Sequence, residues 1–299
     1  MLASMKRAVL IVNPFASHVD DESISAVERA FMRAAYVRTV RTERPRHAVE
    51  LAREAGDADA LIVFSGDGGF NEVLNGVERS DLPVGFVPGG GTSVLPRALG
   101  LPRDPIEAAE QLADALQAGR TRTISTGRVN GRRFSFGAGI GIDAEVVRRV
   151  DELGRSPDGQ RPGDLAFVRA FARMLFERRG RLDPALEIDG YGRAAFVLVA
   201  NVNPYSFLKA LAVQVSPEAV FEAGLDFLAP ASVTPRTLPP LLYGLATGKP
   251  VRNAHRGHDL DRIVVRADRP LPLHADGEDL GDVTEAVFEA ERDSVTVLV

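Results

Sequence analysis

Three glycine-rich turns each follow a short apolar run: Asn13–Ser17, Ser65–Gly69 and Pro88–Thr92. Glycine lets a backbone approach a ligand closely and leaves N–H groups free to face an anion. Gly68 and Gly69 lead into a helical pattern, and a helix N-terminus favours negative charge. Asp67 is the only acid in these turns, and a carboxylate beside a phosphate cradle suits Mg²⁺, bound directly or through water. The plainer alternative is that the glycines close tight turns and Asp67 caps a helix. Three such turns at corresponding strand ends favour phosphate binding. Late in the chain, Asp276-Gly277-Glu278 offers a second pair of acids. A carboxylate held within hydrogen-bond reach of a hydroxyl can take its proton. Asp-Gly is also a strong hairpin signal, and a hairpin could itself present the acid.

Composition limits the chemistry. The 299 residues hold no Cys, which excludes disulfides, thiolate zinc sites and a thiol nucleophile. The 36 basic and 41 acidic residues give a net charge of −5, so no whole-chain basic footprint for nucleic acid exists. Lys6, Lys209 and Lys249 are the only lysines, and no G-x-x-x-x-G-K-[ST] loop is present. The five histidines show no zinc-ligand spacing. No apolar run reaches the roughly 18–20 residues of a membrane span, so a soluble, cytoplasmic chain without a transmembrane segment is expected.

The elements that must position these residues change character along the chain. Up to about residue 124, apolar runs (8–12, 36–40, 60–64, 84–87) alternate with helical patterns (22–35, 46–55, 70–77, 105–118), which implies a parallel sheet covered on both faces. Beyond it, short strand-like runs dominate, interrupted by helical patches at 143–153 and 164–179. This predicts a mostly antiparallel β-sandwich or barrel. Residues 154–163 read as a polar, mobile Pro/Gly-rich loop. The expected division is residues 1–124, with 287–299 returning to them, and residues 125–286.

The motifs resemble the diacylglycerol kinase catalytic family, the bacterial lipid kinases related to sphingosine kinases. Val12–Pro14 resembles the opening N-P turn, and Thr42–Ala48 the T-x(4)-H/D-A segment. Ser65–Gly76 resembles G-D-G-T-x-N-E-V-x-N-G, the most specific element. Pro88–Pro102 resembles the P-x-G-T-x-N-x-F-A-R-x-L-G-x-P loop, Gly137–Ala144 the G-x-G-x-D-A turn, and Pro272–Glu278 the late D-G-E motif. The resemblance implies an α/β Rossmann-like nucleotide domain of the NAD kinase/diacylglycerol kinase type, then a β-sandwich lipid domain, with the active site in a cleft between them. It implies transfer of the γ-phosphoryl group of ATP to a lipid hydroxyl with Mg²⁺, diacylglycerol becoming phosphatidic acid in phospholipid biosynthesis. In that picture Asn13, Thr42, Gly66, Asp67, Gly68, Gly69, Asn71, Glu72, Gly90, Gly91 and Thr92 surround the nucleotide. Glu278 accepts the proton, and Asp276 supports it or the metal. Kinases of sphingoid or other lipid alcohols, and a nucleotide or lipid sensor without turnover, are the alternatives; a homodimer is left open.

Several positions depart from the family pattern. Gly69 stands where the motif has Thr. In the loop, Gly91 replaces Thr, with Thr92 next to it, and Ser93, Leu95 and Pro96 replace Asn, Phe and Ala. Ser93 could replace part of what the Asn amide offers. In Val220–Leu225, relatives carry an Asp ligand of a structural Mg²⁺ where this chain has Ala223, so this second metal site is expected to be lost; Glu222 should point elsewhere on a strand.

Residues 164–181 suggest how such a chain meets a lipid, as a peripheral visitor to the membrane. Phe167, Phe171, Met174 and Leu175 share a helical face, and five arginines outnumber Asp164 and Glu177. A basic amphipathic helix can lie on an anionic membrane; an ordinary core helix with a solvated basic face would look the same. Leu238–Leu245, apolar and proline-rich, is a second candidate for the lipid entrance. His255 and His258 read as solvated loop residues, and His274, two residues before Asp276, as a candidate for the active cleft.

Overall fold

The computed structural model describes residues 5–154, 162–208 and 211–299; residues 155–161 of the predicted loop at 154–163 lie outside them. The chain forms two compact units, the first from residues up to Ile124 with Asp293–Val299, the second from Ser125 to Arg292.

The first unit contains β1 (Lys6–Val12), α1 (Asp21–Met32), β2 (Ala35–Arg41), α2 (His47–Glu54), β3 (Ala60–Ser65), α3 (Asp67–Gly76), β4 (Val84–Pro88), α4 (Val94–Ala98) and α5 (Pro105–Ala118). Its strands are parallel in the order β2-β1-β3-β4, and Val297 near the C-terminus pairs beside Val84. β3 and β4 are buried along their whole length, as expected of strands covered by helices on both faces. α5 carries the predicted signals: Asp104 accepts from the N–H groups of Ile106 and Glu107, Pro105 opens the helix, and Gly119 closes it at φ +67°. The order 2-1-3 reverses direction between β1 and β3. In an open parallel sheet such a switch point opens a crevice beyond the strand ends. Asn13 follows β1, and Gly66 follows β3.

The second unit begins within β5 (Thr121–Val129) and contains β6 (Arg132–Phe134), β7 (Gly137–Ile140), α6 (Ile142–Asp151), α7 (Asp164–Glu177), β8 (Leu186–Ile188), β9 (Gly192–Ala194), β10 (Val197–Ala200), β11 (Ser206–Leu208), β12 (Leu211–Val213), β13 (Leu225–Pro230), α8 (Leu238–Thr247), β14 (Ala254–Leu260), β15 (Arg262–Ala275) and most of β16 (Glu278–Leu298). Antiparallel pairs run β14-β13-β10-β7-β15-β16. The two-residue period of a strand sorts its side chains. Val197 and Val199 of β10 enter one core with Phe134, Phe227 and Phe288, whereas Leu198 and Ala200 enter a second core under the helices.

Two local expectations change, and a third segment gains an element that the sequence reading does not assign. Leu238–Thr247 is a helix, because two prolines at its start fall in the first turn, where missing N–H groups cost nothing. Residues 254–260 are a strand rather than a polar loop, and His258 is tied down: its Nδ1 lies 2.9 Å from the fully buried carboxylate of Asp226. That hydrogen bond holds the His258 pKa above the ordinary value. Glu222 lies in a turn before β13, not on a strand.

Candidate active site

In the first unit the three glycine-rich turns meet. Asn13 N–H donates to Phe64 O (3.0 Å), and Gly89 N–H to Ser65 O (2.7 Å). A Cβ added at Gly90 would lie 2.8 Å from Gly66 Cα, so the second and third turns touch backbone to backbone and position 90 requires glycine. Asn13 Oδ1 accepts from Phe15 N–H (3.0 Å) and lies 3.5 Å from the Thr42 hydroxyl. Gly91 has open space around it. Asn71 is fully buried and accepts from the Asn75 amide (3.1 Å).

The two acids of this region also have structural duties. Asp67 sits in the first turn of α3, but it caps the neighbouring helix: its Oδ1 accepts from Val94 N–H (2.7 Å) and Leu95 N–H (3.4 Å). This accounts for Pro96. The first two N–H groups of α4 have an acceptor, and the third position is filled by a residue that has no N–H. Ser93, before α4, takes a left-handed φ of +47°, and its hydroxyl donates to Gly90 O (3.0 Å). Glu72 accepts from the N–H groups of Arg46 (2.9 Å) and Ala48 (3.2 Å), capping α2. Gly76 lets α3 press on α2, since a Cβ there would lie 2.4 Å from Val49 O.

The first unit therefore offers an α3 N-terminus, adjoining glycine backbones and one carboxylate. The buried Ser65 hydroxyl, without a hydrogen-bond partner among the described residues, adds a donor. This set suits nucleotide phosphates. No cluster of three metal-ligating side chains occurs among the described residues. Such a donor set fits Mg²⁺ held by one carboxylate together with phosphates, rather than in an all-protein cage.

The second unit holds the late acids. Ala275 and Glu278 pair across the β15–β16 hairpin, with Asp276 (φ +48°) and Gly277 (φ +76°) as its two-residue turn. Positive φ at both centres is the geometry that Asp-Gly favours. Asp276 is buried. Its Oδ2 accepts from the Ser135 N–H (2.7 Å) and hydroxyl (2.9 Å), its Oδ1 from Phe136 N–H (3.0 Å) and Gly137 N–H (3.2 Å). The turn is thus bolted to the β6–β7 connection. Beyond it, Glu278 is one-third exposed, and its Oε2 accepts from Arg132 (2.8 Å).

Next to this turn lies a polar cluster. His274 Nε2 is 2.6 Å from Asp143 Oδ2, which also accepts from the Tyr205 hydroxyl (2.5 Å), and that hydroxyl is 3.0 Å from His274 Nε2. Burial pushes the Tyr205 pKa up, reinforced by the Asp143 charge. Burial also acts to raise Asp143, but the His274 charge and the two hydrogen bonds outweigh it and hold the carboxyl below its usual range. The glycines of the Gly137–Gly141 motif follow from this packing. A Cβ at Gly137 would meet the Tyr205 ring at 2.5 Å, and one at Gly139 would meet His274 Nε2 at 2.9 Å. At residues 220–225, Gly224 N–H donates to Asp259 Oδ1 (2.7 Å), and Arg292 bridges Asp259 and Asp261, both at 2.8 Å.

Residues 7–129 match the family model described as the diacylglycerol kinase catalytic domain. The diacylglycerol kinase of Bacillus subtilis is 33% identical over 217 residues, covering 70% of this chain and 69% of that protein. The chain belongs to the diacylglycerol kinase family. It is therefore a lipid kinase, and a kinase uses ATP. The diacylglycerol kinase of Mycobacterium tuberculosis is 33% identical over 43% of this chain and 42% of its own. A crystal structure of a diacylglycerol kinase from Bacillus anthracis matches with a TM-score of 0.71 at 19% identity, covering 99% of this chain and 97% of that one. The shared fold is an α/β unit followed by a β-rich unit.

Against the diacylglycerol kinase pattern, the glycine at 69 acquires a physical reason. A Cβ there would lie 2.1 Å from Ser65 Oγ and 2.7 Å from Ser65 Cβ. A threonine at this position and Ser65 cannot share the backbone as it stands, so the hydroxyl sits at 65 and the glycine at 69. Gly69→Thr is expected to destabilise by about 1–3 kcal/mol through overpacking. Ser65→Gly combined with Gly69→Thr should recover most of that loss in thermal melting. A single Gly69→Thr variant as stable as the parent would show that the two side chains do not compete.

Sequence reasoning passed over Arg132, Ser135 and Tyr205 as site residues. Asn130-Gly131, with φ of +46° and +87°, is a second tight hairpin turn, and it places Arg132 on the strand beside the acids. That dipeptide was the available signal. Nothing in the spacing of Ser135 or Tyr205 announces a partner far along the chain.

Proposed function

We propose that this lipid kinase transfers the γ-phosphoryl group of ATP to the hydroxyl of diacylglycerol, forming phosphatidic acid, and that it meets its substrate at a membrane surface. The name of the Bacillus subtilis relative supports the choice of lipid. The observation that carries the chemistry is the Asp276-Gly277-Glu278 corner: a carboxylate exposed to an incoming hydroxyl, on a turn fixed by the four bonds to Asp276.

In this reading the first unit, residues 1–124 with the returning C-terminus, holds the nucleotide. The α3 N-terminus, the backbones of Gly66, Gly68, Gly69, Gly90 and Gly91, and the hydroxyls of Ser65 and Thr92 face its phosphates, with Asn13, Thr42, Asn71 and Glu72 shaping the cradle. Asp67 holds Mg²⁺, directly or through water, while it fixes α4. The metal, when bound, offsets the charge that gathers on the phosphates. The second unit presents Glu278, which takes the proton of the lipid hydroxyl as its oxygen bonds to the γ-phosphorus and the bond to the bridging oxygen breaks, releasing ADP. Asp276 acts by positioning Glu278, and Arg132 holds that carboxylate's orientation. The Asp259–Arg292 contacts brace the 220–225 turn, where the family resemblance implies a structural metal and this chain has Ala223.

The test is purified protein with radiolabelled ATP, Mg²⁺ and mixed vesicles containing diacylglycerol, a sphingoid base or a monoacylglycerol. Label in phosphatidic acid is expected. Label in another lipid would replace diacylglycerol as the substrate. Nucleotide binding with no transfer to any lipid would overturn the enzyme reading in favour of a sensor.

A further inference from the structure

α7 has two apolar faces, and only one is covered. Phe167, Ala170, Phe171, Met174 and Leu175 pack into the core beneath the helices of the second unit. This is the face that its sequence periodicity picks out, and it is the core face. Leu165, Val168, Ala172 and Phe176 follow at i, i+3, i+7 and i+11, which aligns them along the opposite side. All four are exposed, Leu165 at 56% and Phe176 at 85%. A helix that needs one apolar face for its own domain gains nothing in folding from a second one turned to water.

The charges beside this stripe are one-sided. Residues 165–181 contain five arginines and a single acid, Glu177. Arg173 pairs with Glu177 (3.0 Å) and Arg178 with Glu145 (2.5 Å). Arg169, Arg179 and Arg181 are exposed and make no ion pair among the described residues. Near the end of α7, the position of a Cβ on Gly180 would lie 3.3 Å from Pro235, in the segment that leads into α8. α8 exposes Leu242 and Tyr243, the latter at 54%, and Lys249 Nζ donates to the Tyr243 hydroxyl (3.0 Å). Exposed Leu and Phe with arginines alongside, and a Tyr with a Lys at its polar tip, match the chemistry of a bilayer interface. The apolar groups enter the acyl boundary, the cations meet anionic headgroups, and the amphipathic Tyr sits at headgroup level.

We propose that the outer stripe of α7, extended by Leu242 and Tyr243 of α8, is a docking face for an anionic lipid bilayer. The occupant is set by charge: the arginines beside the stripe that pair with no described residue complement anionic headgroups. The proposal rests on the lipid kinase reading for why such a face exists, but its test is independent. Two variants are compared with the parent in flotation with vesicles of phosphatidylcholine alone or with phosphatidylglycerol. One carries Leu165→Gln, Val168→Gln and Phe176→Gln; the other carries Arg169→Glu, Arg179→Glu and Arg181→Glu. The parent should prefer anionic vesicles. The Gln variant should bind them about tenfold more weakly at an unchanged melting temperature, since only exposed groups are altered. The Glu variant should lose the anionic preference. Phosphorylation of a short-chain, water-soluble lipid alcohol should be the same for all three.

Parent-like binding by the Gln variant, or equal binding of the parent to neutral and anionic vesicles, overturns the proposal. So does a parent dimer that the Gln variant splits, seen by sedimentation with vesicle binding unchanged, because a second copy would then cover the stripe. If no lipid is phosphorylated yet the Gln variant loses the vesicles, the kinase reading fails and the docking face stands.

Discussion

Glu278→Gln is expected to leave ATP bound and to slow lipid phosphorylation by roughly a hundred- to ten-thousand-fold, the usual contribution of a positioned general base. The substitution is nearly isosteric. The amide oxygen can still accept from Arg132, which lies 2.8 Å from Glu278 Oε2 in the parent, so the hairpin and its ion-pair partner should keep their places. What is lost is the capacity to take a proton. Phosphoryl transfer asks little covalent chemistry of the protein beyond this, because positioning and charge stabilisation do the rest. The loss should therefore appear in kcat, with the KM for ATP and the calorimetric affinity for nucleotide little changed. In the proposed reading the nucleotide lies against the glycine turns of the first unit, and Glu278 belongs to the second. If kcat of the Gln variant matched the parent, the proton would go elsewhere and Glu278 would be only a hairpin residue. If affinity for ATP fell along with kcat, the residue would be acting on the nucleotide instead.

The division between what was legible in the sequence and what was not follows the range of the interactions. β3 and α3 could be read because an apolar run, a glycine turn and a helical pattern are local signals, and Asp104, Pro105 and Gly119 mark α5 at both ends. The Asp276-Gly277 turn was legible for the same reason. The duties of the acids were not. Asp67 caps a helix 27 positions away, Glu72 one about 24 positions back, and Asp276 collects N–H groups from residues 135–137, about 140 positions earlier. A motif shows which residue types stand together, but a carboxylate's partners depend on which loops the topology brings beside it. α7 shows a related limit. Its strongest periodicity marked the face that packs on its own core, and the exposed stripe stood out only once burial separated the two. His258 read as a loop residue because a polar strand such as β14 lacks the alternation that identifies a half-buried one.

Asp276→Ala should cost the second unit about 3–6 kcal/mol, a large fraction of the roughly 5–15 kcal/mol that stabilises an ordinary domain. The carboxylate accepts three backbone N–H groups and one hydroxyl, at 2.7 to 3.2 Å, where Ser135 and Phe136 are buried. Each buried donor left without an acceptor forfeits its desolvation energy, about 1–3 kcal/mol, and partial relaxation brings the total below the sum. A second effect adds to it, since alanine has no local hydrogen bond to ease the left-handed φ of +48°. Two further substitutions separate these causes. Asp276→Gly relieves the backbone but strands the same donors, so it should remain strongly destabilised. Asp276→Asn keeps one acceptor oxygen and a side chain that tolerates left-handed φ, so it should lose about half as much. Urea midpoints of the three variants order the effects. A glycine variant as stable as the parent would mean that φ, not the hydrogen bonds, makes this position demanding. Activity adds the last discrimination. If Asp276 works only by fixing the turn, phosphorylation by the Asn variant should fall in step with its stability and recover on cooling, when the turn is held again. An Asn variant that is folded but inactive at every temperature would assign Asp276 to the chemistry itself, beside Glu278.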